Sequence, residues 1–456
     1  MKTKFGKTIA GVALLFCAYG AGGCHGDLDI MQDNKLSASN MWKEESDATS
    51  ATYGLYVYLR SALKSMNDIY LCWGELRNGL WGPGTHNTLN GVDQSQVRTS
   101  TMSSVNEYAD WTALYTTVNQ ANLVIRHVPA MGLKEKPRAF CLGNAHFIRA
   151  YCFFQIARIW GDAPLPLWGY ESTDTELFLG RTPVSEVLMR VERDIADAER
   201  YVADTSDKTV ATPAAVAMLK ADYADIFSSS NKCGREVIFA VHQDVSEALN
   251  GPAYYLGWNE SYVEAAYRNN PVPTTGGNQW WWYTDTYRAL LQADPADTRA
   301  ALTCRTADYG TGGRRIGWTE KLMGRVDNGT RIFDSDFILY RYGEAFLMAA
   351  EARYYGKDYA GALEALAPLA ARAYGRKDYY TDTSPEAVLQ AIVDEYLREM
   401  VGEGRTWWML LRTDKIWEYS ADIAAQRDKN PNILLWPITQ AAMSRNYNLT
   451  QTEGWY

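Results

Sequence analysis

Apolar positions along the chain recur mainly at helical spacing, in paired segments separated by short polar breaks. The densest segment is 138–167, RAFCLGNAHFIRAYCFFQIARIWGDAPLPL. Phe140, Gly143, Phe147, Ala150, Tyr151 and Phe154 form one set; Ala145, Ile148, Cys152, Ile156 and Ile159 form a second. Only a narrow polar edge is left, made of Asn144, His146, Arg149, Gln155 and Arg158. The pattern predicts a central helix buried on two faces, with other elements packed against it from more than one side. Its stop is legible too, because Gly161 can take the left-handed cap and Pro164 and Pro166 forbid continuation.

The surrounding segments repeat the theme. Leu114, Val118, Ala121, Leu123 and Ile125, ahead of Pro129, predict a helix antiparallel to the central one. A first helix is expected over 40–63, carried by Tyr53, Tyr56, Val57, Leu59, Ala62 and Leu63. The stretch 66–91 loses that period and reads as a long aromatic loop. Further pairs are expected at 183–202 with 213–227, 337–355 with 359–374, and 385–401 with 406–419, three of their members opening on proline at a helix start. Helix pairs of roughly 34 to 40 residues are how tetratricopeptide-like solenoids bury their faces. The expected fold is therefore all-α, about four helical hairpins, with pairs over about 105–230 and 336–420. Between them, 234–334 is rich in Gly, Pro, Asn and Trp and reads as a loop-rich excursion with minor β structure, opening on a short strand at 236–240.

The N-terminus changes the picture. Lys2, Lys4 and Lys7 precede an apolar run from Ile9 to Tyr19, and small residues Ala21, Gly22 and Gly23 lead into Cys24. That is an export signal over 1–23, too short to span a bilayer, and no later stretch offers about 18 uninterrupted apolar residues. Small residues before a cysteine resemble a bacterial lipobox, in which the cysteine is diacylated and becomes the new N-terminus. Ala21 stands where that pattern usually has Leu; simple cleavage and secretion is the alternative. If Cys24 is lipidated, its acyl chains hold the protein to the membrane, and His25 to Asp29 form a short acidic tether. The chain has 54 acidic against 45 basic side chains, which disfavours a nucleic-acid partner. Cys72, Cys141, Cys152, Cys233 and Cys304 remain, an odd number. Cys141 and Cys152 lie roughly 16 Å apart along one helix, too far to bridge, so small buried thiols are expected.

Catalytic chemistry is not legible. No GxSxG, HExxH, Walker A, GxGxxG or CxxC arrangement occurs, and the five histidines are scattered singly, so neither a metal nor a cofactor site is expected. Glu344 and Glu351 share a helix face and could be paired carboxylates, but pairing with Arg341 or a neighbouring helix is the simpler reading. Glu403 and Arg405 read as an ion pair at a helix end. The aromatics carry more. Among 16 tryptophans, Trp73, Trp81, Trp258, Trp280, Trp281, Trp282 and Trp318 fall outside periodic helix faces. Sugar rings stack their C–H faces on indole while Asn and Arg hydrogen-bond hydroxyls at the edges. The alternative is that these rings glue long loops to the scaffold.

The ending ILLWPITQAAMSRNYNLTQTEGWY, the central helix running into Trp160-Gly161-Asp162-Ala163-Pro164-Leu165, the segment 337–353 and the segment 400–412 resemble, in order, motifs of the SusD/RagB family of outer-membrane nutrient-binding lipoproteins. The resemblance runs from Cys24 to Tyr456 and departs at Trp407, Trp408 and Met409, and at Glu399, which lacks the usual Glu-Arg pair upstream. It implies a single domain over 24–456 that binds glycan at the cell surface and delivers it to a SusC-like TonB-dependent transporter in the outer membrane, without catalysis. Capture of peptides is the alternative within the family, and a secreted glycoside hydrolase the alternative outside it. The resemblance puts the ligand where the loop after the first helix meets the irregular segment: Trp73, Arg77, Asn78 and Trp81 on one side, Trp280, Trp281 and Trp282 on the other.

Overall fold

In this computed structural model the described residues are 41–84, 89, 91–171, 178–203, 219–232, 234–243, 256, 280–309, 314–328 and 330–455. The leader, Cys24, Cys233, Trp258 and residues 213–218 lie outside them. The fold is the expected one, tetratricopeptide-like helical pairs with small two-stranded sheets between them. Helix α1 spans Glu45–Gly74, β1 Trp81–Pro83, α2 Gly91–Thr99, α3 Thr112–His127, α4 Glu135–Trp160 and α5 Val184–Ala203. After strands β2 (Val237–Val241) and β3 (Trp281–Tyr283) come α6 (Asp285–Leu291), the hairpins β4 (Arg305–Tyr309) with β5 (Arg314–Trp318) and β6 (Arg325–Asp327) with β7 (Thr330–Ile332), and β8 (Phe337–Arg341). The chain closes with α7 (Tyr342–Tyr355), α8 (Tyr359–Tyr374), α9 (Pro385–Glu399), α10 (Thr406–Arg412) and α11 (Gln440–Arg445). Among the described residues, no helix is long and apolar enough to cross a membrane.

Helix α4 is central, flanked by α3 and α5, and it stops at Gly161, whose φ is 73°. Its polar edge is not open to solvent as the periodicity suggests. Asp194 of α5 accepts hydrogen bonds from His146 Nδ1 (2.8 Å), Arg149 Nε (2.8 Å) and Arg149 Nη2 (2.6 Å), so the middle of the polar edge is covered. Phe140, Phe147 and Phe154 are half-buried, as are Asn144 and Arg158. The stop is also an anchor. Trp436 N–H donates to the Ile159 carbonyl (2.9 Å), Trp160 Nε1 donates to that of Pro437 (3.2 Å), and Leu435 packs over Gly161, which joins the C-terminal segment to the end of α4.

Four elements differ from expectation. Helix α1 runs eleven residues past 63 to Gly74, and Ile69, Tyr70, Leu71, Cys72 and Trp73 are all buried. A helical stretch enclosed on every side has no polar face and hence no amphipathic period to read. Residues 337–341 form a strand, β8, instead of the start of a helix, because Val237–Val241 pairs with it antiparallel. The described end of the 213–227 segment is a bend and a single 3-10 turn at Ala224–Ile226 rather than a helix. Helix α10 ends at Arg412, with a separate turn of helix at Ile416–Tyr419. Cys72, Cys141, Cys152 and Cys304 are free and buried.

The carboxylates weighed as a catalytic pair are each closed off. Glu344 accepts from Arg405 Nη2 (2.8 Å) and Tyr396 Oη (2.6 Å); Glu351 accepts from Arg412 Nε (2.7 Å). Glu403 and Arg405 do not pair with each other, because Glu403 is held by Arg341 (2.8 Å) and Lys321. The Glu403 contacts belong to a buried charge network in which Arg341 also reaches Glu399 (2.5 Å) and Glu236 (3.0 Å), Arg299 reaches Glu395 (2.7 Å) and Glu399 (2.9 Å), and Arg372 reaches Glu236 (2.9 Å).

Candidate ligand-binding face

The two segments singled out by composition do meet. β1 and β3 pair antiparallel, with Trp81 opposite Tyr283, Gly82 opposite Trp282 and Pro83 opposite Trp281. The rings form one aromatic block: Trp81 lies 4.6 Å from Tyr283, 6.0 Å from Trp281 and 5.9 Å from Tyr287, centroid to centroid.

The open stacking faces expected of these residues are absent. Trp81 and Trp281 have no exposed surface and Trp282 only 2 %. Trp73, Arg77 and Asn78 are buried as well, and so is Trp318. The reason is that α1 carries Trp73 inward as a helix, where its Nε1 donates to the Tyr108 carbonyl (2.9 Å) and its ring meets Trp160 edge-on at 5.7 Å. Trp281 Nε1 donates to Gln94 on α2 (3.0 Å). Of the seven residues, Trp280 alone is half-buried, at the mouth of β3 with its carbonyl accepting from Gly84 (2.6 Å).

Beneath the strands, Glu75 ties three segments together. Its carboxylate accepts from Trp81 Nε1 (3.2 Å), Asn78 Nδ2 (3.2 Å), Thr406 Oγ1 (2.5 Å) and the backbone N–H groups of Gly404 (3.0 Å) and Arg405 (3.2 Å). Burial pushes this carboxyl up to about 7, against those hydrogen bonds. Arg77 donates to the Ser100 hydroxyl (3.1 Å) and to carbonyls of Ile433, Leu434 and Leu435, and it lies over the Trp407 ring at 4.7 Å and the Trp436 ring at 5.5 Å. Burial pulls its guanidinium down to about 9. Arg77 and Asn78 therefore fasten the first helix to the C-terminal half, and neither has exposed surface.

What the junction offers to solvent is Gly82 and Pro83 of β1 and part of the Trp280 side chain, which packs against the hydrophobic core. Sequence reasoning missed the exposed aromatics outside it, Trp168 (52 %), Phe178 (37 %) and Tyr447 (77 %), because solvent exposure carries no local sequence signal. Among the described residues one group has metal-ligand geometry, His146, Asp194 and Asp197. Arg149 (2.6 Å) and Arg190 already pair with Asp194, so two guanidinium charges oppose a cation there.

Comparison with known proteins supplies the context. Residues 83–226 match a family described as starch-binding and associating with the outer membrane, and residues 319–455 match the SusD family. A SusD-like protein, P38, of Formosa agariphila is 22% identical, covering 94% of this chain and 95% of its own. A solved SusD superfamily protein of Bacteroides fragilis superposes with a TM-score of 0.76 at 22% identity, over 91% of this chain and 100% of that one. A laminarin-binding SusD-like protein superposes with a TM-score of 0.71 at 17% identity, over 91% and 100%. These two structures share the fold.

Proposed function

This chain belongs to the SusD/RagB family, and from that premise we propose that it is an outer-membrane lipoprotein that captures oligosaccharide at the cell surface and passes it to a TonB-dependent transporter. The observation that carries the reading is that family profiles match in both halves of the chain, at 83–226 and 319–455, while the same fold, over 91% of its length, is that of a protein named for binding laminarin. In this reading residues 24–456 form one family domain behind a leader at 1–23. The protein acts by binding alone: the carboxylates suited by type to glycoside hydrolysis, Glu344 and Glu351, are each neutralised by an arginine.

The proposed contact at the β1–β3 face is Trp280, with Trp73, Arg77, Asn78, Trp81, Trp281 and Trp282 as the pedestal that fixes it. Trp280→Ala is expected to weaken glycan affinity roughly tenfold, about 1.4 kcal/mol, with little change in thermal unfolding. Isothermal titration against a glycan panel and a peptide panel checks this. Binding confined to peptides would replace glycan as the cargo, and product release from the glycans would end the non-catalytic reading.

Anchoring rests on Cys24. Cys24→Ala should move the protein from the membrane fraction to the soluble fraction, because the acyl chains are the proposed attachment. A variant that still pellets with membranes at high salt would show attachment by other means.

A further inference from the structure

A cavity of about 630 Å³ lies between the first half of α3, the turn after α4 and the C-terminal segment. None of its lining residues belongs to the β1–β3 pair. Its size falls within the range of sites that enclose a small ligand, roughly 300–1,000 Å³. Trp111, Tyr115 and Tyr170 supply rings, and Pro164, Pro166 and Leu449 supply apolar wall between them.

The concavity is preformed, because polar side chains on its walls staple the segments together. Tyr115 Oη donates to the Pro164 carbonyl (2.8 Å) and Asn122 Nδ2 to that of Pro166 (3.0 Å). Asn119 donates to the Tyr170 carbonyl (3.1 Å) and accepts from its N–H (2.8 Å), while Asn446 Nδ2 donates to the Leu179 carbonyl (2.8 Å). Just beyond Leu179 and Asn446, the exposed rings of Phe178 and Tyr447 pair at 4.9 Å. Walls held in this way lose little freedom when a ligand enters.

Arg445 is the one charged side chain lining this cavity, and it is exposed with no ion pair among the described residues. Its place in the last turn of α11 favours a cation there, but does not require one beside an aromatic wall. The next hollow along the same seam, about 590 Å³, is lined by Glu107 and Asp110. Asp110 adjoins Trp111 and Ser444 adjoins Arg445 in the chain, so two carboxylates line a hollow close to the one that Arg445 lines.

We propose that this groove binds the anionic end of an oligosaccharide: a sugar bearing a carboxylate or sulfate, its C–H face on the half-buried Tyr115 and its anion on Arg445. The charge-assisted bond to Arg445 selects the anion. Glu107 and Asp110 in the nearby hollow disfavour a second anion there. The inference rests on the glycan-binding reading and adds a site and a substrate class to it.

The test is isothermal titration of the mature chain with three trisaccharides of one backbone, ending in a uronic acid, a sulfated sugar or the neutral sugar. At least one anionic form should bind about tenfold tighter than the neutral form, and which one does so identifies the anion. Arg445→Ala should erase that margin. Thr116→Trp, which fills the cavity from an exposed helix position, should abolish anionic binding without changing the melting temperature, whereas Trp280→Ala should leave the margin intact. Equal affinity for anionic and neutral forms, or unchanged affinity in both groove variants, overturns the proposal. If Trp280→Ala alone weakens neutral binding while both groove variants are silent, the glycan reading stands and the groove falls. A protein that binds none of the sugars but binds peptides loses both.

Discussion

Replacing Trp81 by alanine is expected to destabilise the protein by about 3–5 kcal/mol, the range for emptying a fully buried aromatic site. The side chain has no exposed surface and packs against Trp281, Tyr283 and Tyr287. The cost extends beyond the cavity, because Trp81 Nε1 also donates to Glu75, whose carboxylate holds the backbone of Gly404 and Arg405. Losing that donor loosens the turn between α9 and α10 as well as the β1–β3 pair. Trp281→Ala should behave alike, since Gln94 loses its partner on the indole (3.0 Å). Denaturant unfolding of these variants beside Trp280→Ala separates pedestal from contact. Wild-type stability with weakened glycan affinity in Trp81→Ala would show that this ring is reached by ligand.

Arg341→Met should cost a similar amount, about 3–5 kcal/mol, because removing one member of a buried ion network leaves the other charges uncompensated. Arg341 is buried and bridges Glu236, Glu399 and Glu403 through bonds of 3.0, 2.5 and 2.8 Å. Although burial alone would raise both carboxyls, the guanidinium groups of Arg372, Arg341 and Arg299 hold Glu399 far below its ordinary value, and Arg341 and Lys321 lower Glu403. The sign of the pH dependence follows. These carboxylates bind fewer protons folded than unfolded, so their contribution is complete above the ordinary value of 4.5 and drains away as pH falls below it. Thermal unfolding from pH 7 to pH 3 should show the wild-type melting temperature falling below about pH 4.5 and a shallower fall in Arg341→Met. Removing the exposed Lys415–Glu418 pair (2.7 Å) should change stability by less than about 1 kcal/mol. Equal losses at the two sites would mean that the network is hydrated and not buried.

Elements governed by local chemistry were legible in the sequence. The course of α4 and its stop at Gly161 follow from apolar spacing, a residue free to take positive φ, and two prolines. The pair α7 and α8, and α9 opening on Pro385, follow from the same kind of signal. Even the meeting of the two aromatic segments was anticipated through the family resemblance.

What only the tertiary structure decided shares one physical cause: the outcome depended on a partner distant in the chain. The last turns of α1 have no polar face because several elements enclose them, and an all-apolar helix looks like no helix at all. Phe337–Arg341 is a strand because Val237–Val241, about a hundred residues earlier, supplies hydrogen bonds that a five-residue apolar run can use in either conformation. Exposure was decided in the same way. The chain determined that Trp81, Trp281 and Trp282 would stand outside amphipathic helices, and that Trp168, Phe178 and Tyr447 would stand in irregular segments. Packing then enclosed the first three and left the last three in solvent, because burial is a property of what surrounds a side chain and not of the side chain itself.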